Sequence, residues 1–346
     1  MEKLRFGIIG CGVIHHWHAA AIRSLSDAAE LVAVCDVVAD RAVDAADKLG
    51  VKAYTSIEDL LADDRIEVVT IATPSGMHVD HAIKAVQHGK HVIVEKPFDI
   101  TLDKADQLMA IAVDARVHVT CVSQTQYGPG IKQLHEWLAA GKLGELVYGE
   151  ATIKWYRSQE YYDSGDWRGT WALDGGGALM NQGVHYADNL RRAMGSPKTI
   201  SAYAATRGHN IEVEDVVTAS IVFKNGAIGT LTATTCAYPG FDTTLEIYGT
   251  KGSVKIANQE LVSAHFADGE HHDGAKIRSE QPSTASDPAA VGSYYHSCQF
   301  RDFIDNIRSG KSRLAGAQEG RDALELVLGV YQSARTGQPV DFPVKA

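Results

Sequence analysis

From residue 4 onward, short and nearly continuous apolar runs alternate with amphipathic stretches, and this rhythm limits what the chain can become more than any other feature. Residues 4–9 are followed by 14–25, residues 31–35 by 39–49, and residues 68–72 by 79–87; runs at 91–94 and 117–122 extend the series. Strands that are apolar along both faces and separated by helices are what a parallel sheet covered on both sides requires. The first third of the chain therefore reads as a doubly wound α/β domain, over residues 1–122.

The rhythm changes after about residue 123. Strand-like runs follow one another at 146–155, 199–207, 216–223, 227–235, 244–248 and 252–256, with Asn225-Gly226 as a hairpin signal and Lys251-Gly252 as a second turn. Consecutive strands without helices between them point to a large, open, mostly antiparallel sheet, so residues 123–346 are expected to form an α+β domain. Residues 268–293, rich in Gly, Ser, Pro and Ala, read as a long loop, and helix-like runs at 298–307 and 317–334 close the chain.

Composition removes several classes of function. With 346 residues, 45% hydrophobic and 22% charged, the chain is an ordinary folded protein long enough for two domains. A net charge of -10 without any cluster of Lys and Arg argues against nucleic acid as a partner. No apolar run approaches the roughly 20 residues of a membrane span. The five cysteines, Cys11, Cys35, Cys121, Cys236 and Cys298, form no C-x-x-C pair, which fits a reducing, cytoplasmic setting.

Gly7-Ile8-Ile9-Gly10-Cys11-Gly12 directly follows the first strand and precedes a helix, the context that a dinucleotide fingerprint needs. Gly10 permits a tight turn, Gly12 lets backbone approach a pyrophosphate, and Val13 and Ile14 lead into the helix. The third glycine of the fingerprint is replaced by His15. Asp36 ends the second apolar run 24 positions after Gly12, near the spacing at which a carboxylate bonds the adenosine ribose hydroxyls, and no Arg follows it at Val37 or Val38. NAD is thereby favoured over NADP.

Two further segments carry the chemistry. One is Ala72-Thr73-Pro74-Ser75-Gly76-Met77-His78 with Glu95-Lys96-Pro97; the other is Gly175-Gly176-Gly177-Ala178-Leu179-Met180-Asn181-Gln182-Gly183-Val184-His185-Tyr186-Ala187-Asp188. In this order the motifs resemble those of the Gfo/Idh/MocA oxidoreductases (glucose–fructose oxidoreductase, inositol dehydrogenase, rhizopine catabolism), over essentially the whole chain. The resemblance implies hydride transfer between nicotinamide C4 and a secondary hydroxyl or ketone of a sugar, sugar derivative or cyclitol. It assigns His185 as proton acceptor and Lys96 as the group that holds and polarises the reacting hydroxyl. Thr73, Pro74, His78 and Glu95 fall on the cofactor side with Lys96.

The residue four before His185, an Asp in the family pattern, is Asn181 here. On one helix the two share a face, but an amide carries no proton, so Asn181 reads as a hydrogen-bonding clamp rather than a relay. Family members with Asn at this place include sugar-nucleotide 3-dehydrogenases, which favours a pyranose. Trp155, Arg157, Tyr161, Trp167 and Arg168, with Gln126 and Tyr127, form the candidate substrate wall, because sugars meet aromatic faces through their C–H surfaces and Arg through hydroxyls or acidic groups; an ordinary packing patch is the competing reading.

Neither His15-His16-His18 nor His271-His272 has a matching ligand set, so no catalytic metal is expected; His15, His16 or Trp17 are candidates to line the cleft beside the nicotinamide. An NAD-dependent glycosidase that oxidises C3 transiently, and a cofactor-sensing regulator, remain alternatives to a dehydrogenase. The family likeness also implies a homodimer or homotetramer.

Overall fold

The computed structural model describes residues 2–274, 292–310 and 316–344. Two compact units share the chain: Met1–Gln124 with Val291–Arg321, and Thr125–Ala290 with Asp322–Ala346.

The first unit runs β1 (Leu4–Ile9), α1 (His15–Ser24), β2 (Ala29–Cys35), α2 (Ala39–Leu49), β3 (Lys52–Tyr54), α3 (Ile57–Leu61), β4 (Val68–Ile71), α4 (His78–Gln87), β5 (His91–Val94), α5 (Leu102–Asp114) and β6 (Val119–Cys121). All six strands pair in parallel in the order β3-β2-β1-β4-β5-β6. Phe6 and Ile8 of β1 are fully buried, as are Val68 and Val69 of β4, because helices cover both faces of the sheet. The strand order reverses between β1 and β4, and ligands of such sheets bind outside the carboxyl ends at that switch point. Strand β3, at the sheet edge, lacks an apolar run: Lys52 is exposed, and Ala53 and Tyr54 are half-buried.

The second unit contains α6 (Pro129–Ala139), β7 (Leu146–Lys154), α7 (Gln159–Asp163), a π-helical turn (Ala178–Gly183), α8 (Val184–Met194), then β8 (Pro197–Ala205), β9 (Val216–Phe223), β10 (Ile228–Thr234), β11 (Thr244–Gly249), β12 (Gly252–Ala257), β13 (Glu260–Phe266) and β14 (His271–Asp273). After these come α9 (Tyr294–Ser309), α10 (Ala317–Thr336) and β15 (Val340–Asp341). Among the described residues nine strands form one sheet in the order β14-β13-β12-β11-β7-β10-β9-β8-β15, in which β7 and β10 are the one parallel pair. Ala151, Ile153, Leu231, Ala233, Leu245 and Ile247 make its buried face. Helix α8 lies close on it: a Cβ at Gly149 of β7 would come within 2.6 Å of the Met194 sulfur.

The chain passes from the first unit to the second between Gln124 and Thr125, and α9 belongs to the first unit again. Phe300, Phe303 and Ile304 of α9 join Phe6, Ile8, Ile22, Val34 and Ile93 in the core of the first unit. An amphipathic helix is placed by whichever core receives its apolar stripe, and sequence order does not settle which. The expected loop at 268–293 contains β14, and its stretch 275–291 lies outside the described residues.

Candidate active site

In the first unit the glycine loop is fixed from below. Gly10 has φ +99° and donates its N–H to the Cys35 carbonyl at 2.8 Å; a Cβ there would meet the Ala72 carbonyl oxygen at 2.5 Å. Gly12 is exposed, and a Cβ added to it would find nothing within 4 Å, so its backbone is open to close approach by a phosphate. Val13 is 60% exposed and Ile14 caps α1, whose N-terminal amides and dipole favour an anion. His15 turns inward: it is buried, and its Nδ1 donates to the Gly12 carbonyl. The missing third glycine is thus replaced by a side chain that closes the loop, and His15 is not free to line a cleft. Burial lowers its pKa and keeps the ring neutral.

Asp36 does more than its spacing implies. Its Oδ2 accepts the Cys11 N–H at 2.9 Å and its Oδ1 the Val38 N–H at 2.9 Å, so the carboxylate ties the glycine loop to the end of β2. Val37 and Val38 are exposed beside it, and neither offers a cation to a ribose phosphate. Free turn, open backbone and acceptor together fit NAD.

The Thr73-Pro74 and Glu95-Lys96-Pro97 segments lie at the carboxyl ends of β4 and β5. His78 clasps them: its Nδ1 is 2.7 Å from the Pro97 carbonyl oxygen and its Nε2 2.8 Å from that of Thr73. Two carbonyls can only accept, and burial lowers the pKa of the ring, so the neutral ring donates one of these bonds and protonation supplies the second donor. Thr73 Oγ1 is 3.2 Å from His81 Nδ1. Glu95 is 5% exposed, accepts from His18 Nε2 at 2.8 Å, and accepts the Lys96 N–H at 2.9 Å. Burial works to raise its pKa, but the His18 bond and the neighbouring positive charges outweigh burial and hold the carboxyl well below the usual range. Glu95 is therefore a buried anchor beneath Lys96, and the half-buried Lys96 is the member of the motif at the surface.

In the second unit the glycine run is a tightly packed turn. A Cβ at Gly177 would lie 1.8 Å from the Glu214 carbonyl oxygen, and one at Gly176 would lie 2.2 Å from the Tyr331 hydroxyl. Glu214, 3% exposed, accepts the N–H groups of Gly177 and Leu179 at 2.8 Å each and the Tyr331 hydroxyl at 2.8 Å. Burial pushes its pKa up to about 7 despite these donors.

Asn181 and His185 do not share one regular α-helix, as their spacing predicted. Asn181 belongs to the π-helical turn and His185 to the first turn of α8, a local widening that recurs at functional sites. Asn181 Nδ2 donates to Asp174 Oδ1 at 2.7 Å, while Asp174 Oδ2 accepts the Gly169 N–H at 3.0 Å. The amide is thereby oriented before any substrate arrives. His185 is 9% exposed at the start of α8.

The aromatic segment forms a ladder. Arg157 lies 5.0 Å over the Trp155 ring and 5.4 Å over Tyr161; Arg168 lies 4.5 Å over both Tyr161 and Trp167. Tyr161 accepts Arg168 Nη1 at 2.8 Å and Gln182 Nε2 at 3.2 Å, which joins the ladder to the turn that carries Asn181. Two of the expected wall residues are interior: Trp155 and Arg157 are 9% and 4% exposed, and the Trp155 indole donates to Thr243 Oγ1 at 2.6 Å. Tyr161, Trp167 and Arg168 are half-buried. Gln126 donates to Asp188 and Asn189 of α8 at 3.0 and 2.7 Å, and Tyr127 carries Lys132 over its ring at 5.1 Å.

Glu214, Asp174, Tyr331 and His18 escaped sequence reasoning. Asp174 directly precedes the glycine run and His18 stands out in the sequence only as a possible metal ligand; Glu214 and Tyr331 reach the second unit's turn, and His18 reaches Glu95 in the first, from elements about 40 to 150 positions away.

Comparison with known proteins agrees with this geometry. Residues 4–122 match the oxidoreductase family model for an NAD-binding Rossmann fold, and residues 131–255 match the GFO/IDH/MocA C-terminal domain. The chain is 31% identical to the WlbA dehydrogenase from Bordetella pertussis, solved in complex with NADH and UDP-GlcNAcA, with 99% of each chain covered and a TM-score of 0.90. It is 26% identical to the myo-inositol 2-dehydrogenase of Thermotoga maritima, covering 93% of this chain and 94% of that one, and 24% identical to the scyllo-inositol 2-dehydrogenase (NAD(+)) of Bacillus subtilis, covering 99% and 98%. This chain belongs to the Gfo/Idh/MocA family of oxidoreductases and is an NAD-dependent enzyme of the sugar and polyol dehydrogenase kind.

Proposed function

We propose that the protein oxidises a secondary hydroxyl of a pyranose that bears an acidic substituent. When bound, NAD supplies the hydride acceptor at nicotinamide C4. Lys96 holds and polarises the reacting hydroxyl, His185 takes its proton as the carbonyl forms, and Asn181, pre-aimed by Asp174, bonds the substrate without carrying a proton.

The observation that carries the acidic substituent is Arg168. Its guanidinium is sandwiched between Tyr161 and Trp167 and gives one N–H to the Tyr161 hydroxyl, and among the described residues no carboxylate pairs with it. A half-buried, stacked guanidinium has five donors in a fixed fork, and a planar carboxylate is the complement it lacks. The WlbA relative, crystallised with the sugar nucleotide UDP-GlcNAcA, supports the same substrate class.

The test is NAD reduction followed by absorbance across uronic acids, uronate-bearing sugar nucleotides, neutral pyranoses and cyclitols. Acidic pyranoses are expected to give the highest kcat/KM, and Arg168→Leu to raise their KM about 10- to 100-fold, the worth of a charge-assisted bond, while neutral sugars change little. Faster turnover of neutral substrates would overturn the acidic reading. Release of an aglycone from glycosides without accumulation of NADH would replace the dehydrogenase by a transient-oxidation glycosidase.

A further inference from the structure

Three strand ends of the second unit meet at a cluster that the dehydrogenase chemistry leaves unused. His209 follows β8, Asp215 precedes β9 and Cys236 follows β10, and one donor atom from each lies within 4.8 Å of the others. His209 Nδ1 is 3.0 Å from Asp215 Oδ2 and 3.8 Å from Cys236 Sγ. Gly208 makes the approach possible, since a Cβ there would stand 2.7 Å from the sulfur.

We propose that His209, Asp215 and Cys236 bind a zinc ion that clips these three strand ends together. Zinc takes nitrogen, oxygen and sulfur donors tetrahedrally at roughly 2.0 to 2.3 Å, which sets such N, O and S ligand atoms about 3.3 to 3.6 Å apart. The observed 3.0 and 3.8 Å from His209 Nδ1 bracket those separations, so shifts of a few tenths of an ångström bring these two pairs to zinc-ligand distance, and the third pair lies within 4.8 Å. The outer partner is present as well: His209 Nε2 lies 2.8 Å from the Arg157 carbonyl, the kind of bond by which a metal-bound histidine is oriented through its second nitrogen. Thiolate among the ligands favours zinc over magnesium or calcium.

Zinc takes the unprotonated ring nitrogen and the deprotonated thiol as ligands, so loading the site releases protons. The exposed Cys236 faces solvent, which gives the ion an entry path and leaves a fourth position for water. The role is structural: through His209 the ion steadies the Arg157 backbone, from which the aromatic ladder starts.

The test uses the full chain, stripped with a chelator, reloaded with Zn2+ and desalted. One zinc per chain is expected by mass spectrometry of the metal, and Co2+ in its place is expected to give thiolate-to-cobalt charge-transfer absorption. Bound zinc is expected to slow iodoacetamide alkylation of Cys236, read by peptide mass spectrometry, at least tenfold, a measurement made on the unmutated protein. Cys236→Ser and His209→Gln are each expected to abolish stoichiometric binding, and a His271→Ala/His272→Ala double variant to leave it intact. Alkylation of Cys236 at an unchanged rate, or retention of one zinc by a folded C236S/H209Q double variant, would overturn the proposal.

Discussion

At the scale of single residues, the side chains nearest the chemistry are held by partners that restrict what can replace them. Asn181 stands where the family pattern has Asp, yet here its amide donates to the Asp174 carboxylate at 2.7 Å. Asn181→Asp would set two carboxylates at that separation, and their repulsion raises the pKa of one of them. The variant is expected to lose at least tenfold in kcat/KM at neutral pH and to recover part of it as the pH falls and one carboxyl of the pair takes a proton. A pH series of variant against parent checks this, and a flat ratio would refute it. Asp36 has the same double character. Because it accepts two backbone N–H groups that fix the glycine loop, Asp36→Ala is expected to weaken NAD binding by more than the loss of one proposed ribose contact, about 100-fold by fluorescence titration, without a matching gain for NADP.

At the scale of elements, the turn that carries Asn181 is built by backbone groups that reach a buried acid from another part of the chain. Gly177→Ala forces a Cβ into the Glu214 carbonyl oxygen, and a backbone contact cannot swing aside as a flexible side chain does. Destabilisation of about 3 kcal/mol or more is expected, visible in the denaturant midpoint. Glu214 itself has a folded pKa of about 7 against an ordinary 4.5. A carboxyl raised in the folded state binds more protons folded than unfolded, so its contribution is complete below pH 4.5 and is lost as the pH rises through about 7. Glu214→Gln is expected to flatten the pH dependence of Tm between those limits; an unchanged slope would show that other groups set it. The elements themselves were legible to different degrees. Strands β1, β5 and β9 and helix α2 follow their apolar patterns residue for residue, because each has a face that must be buried. The π-helical turn left no periodic mark, since a single widened turn alters hydrogen bonding without altering which residues are apolar.

At the scale of the whole molecule, the open face of the nine-stranded sheet is the outstanding surface. Register aligns Tyr203, Thr218, Thr232, Thr152 and Thr244 in one row and Ile228, Tyr148 and Tyr248 in another, and Tyr203 and Ile228 are 78% and 55% exposed. A surface of threonine rows with exposed Tyr203, Ile228 and Tyr248 suits self-association. Sedimentation is expected to show a homodimer or homotetramer, and substitution of Tyr203 and Ile228 by Glu to release the monomer. The sequence by itself determined the parallel sheet, the mostly antiparallel second sheet, the glycine loop with Asp36, and the order of the Lys96 and His185 motifs. Those features rest on local periodicity and on spacing along the chain. Only the tertiary structure decided that α9 returns to the first core, that His15 closes the glycine loop, that Trp155 and Arg157 are interior, and that Glu214 holds the turn beneath Asn181. Each of these depends on contacts between residues far apart in the chain, where burial and hydrogen-bond partners are set by packing.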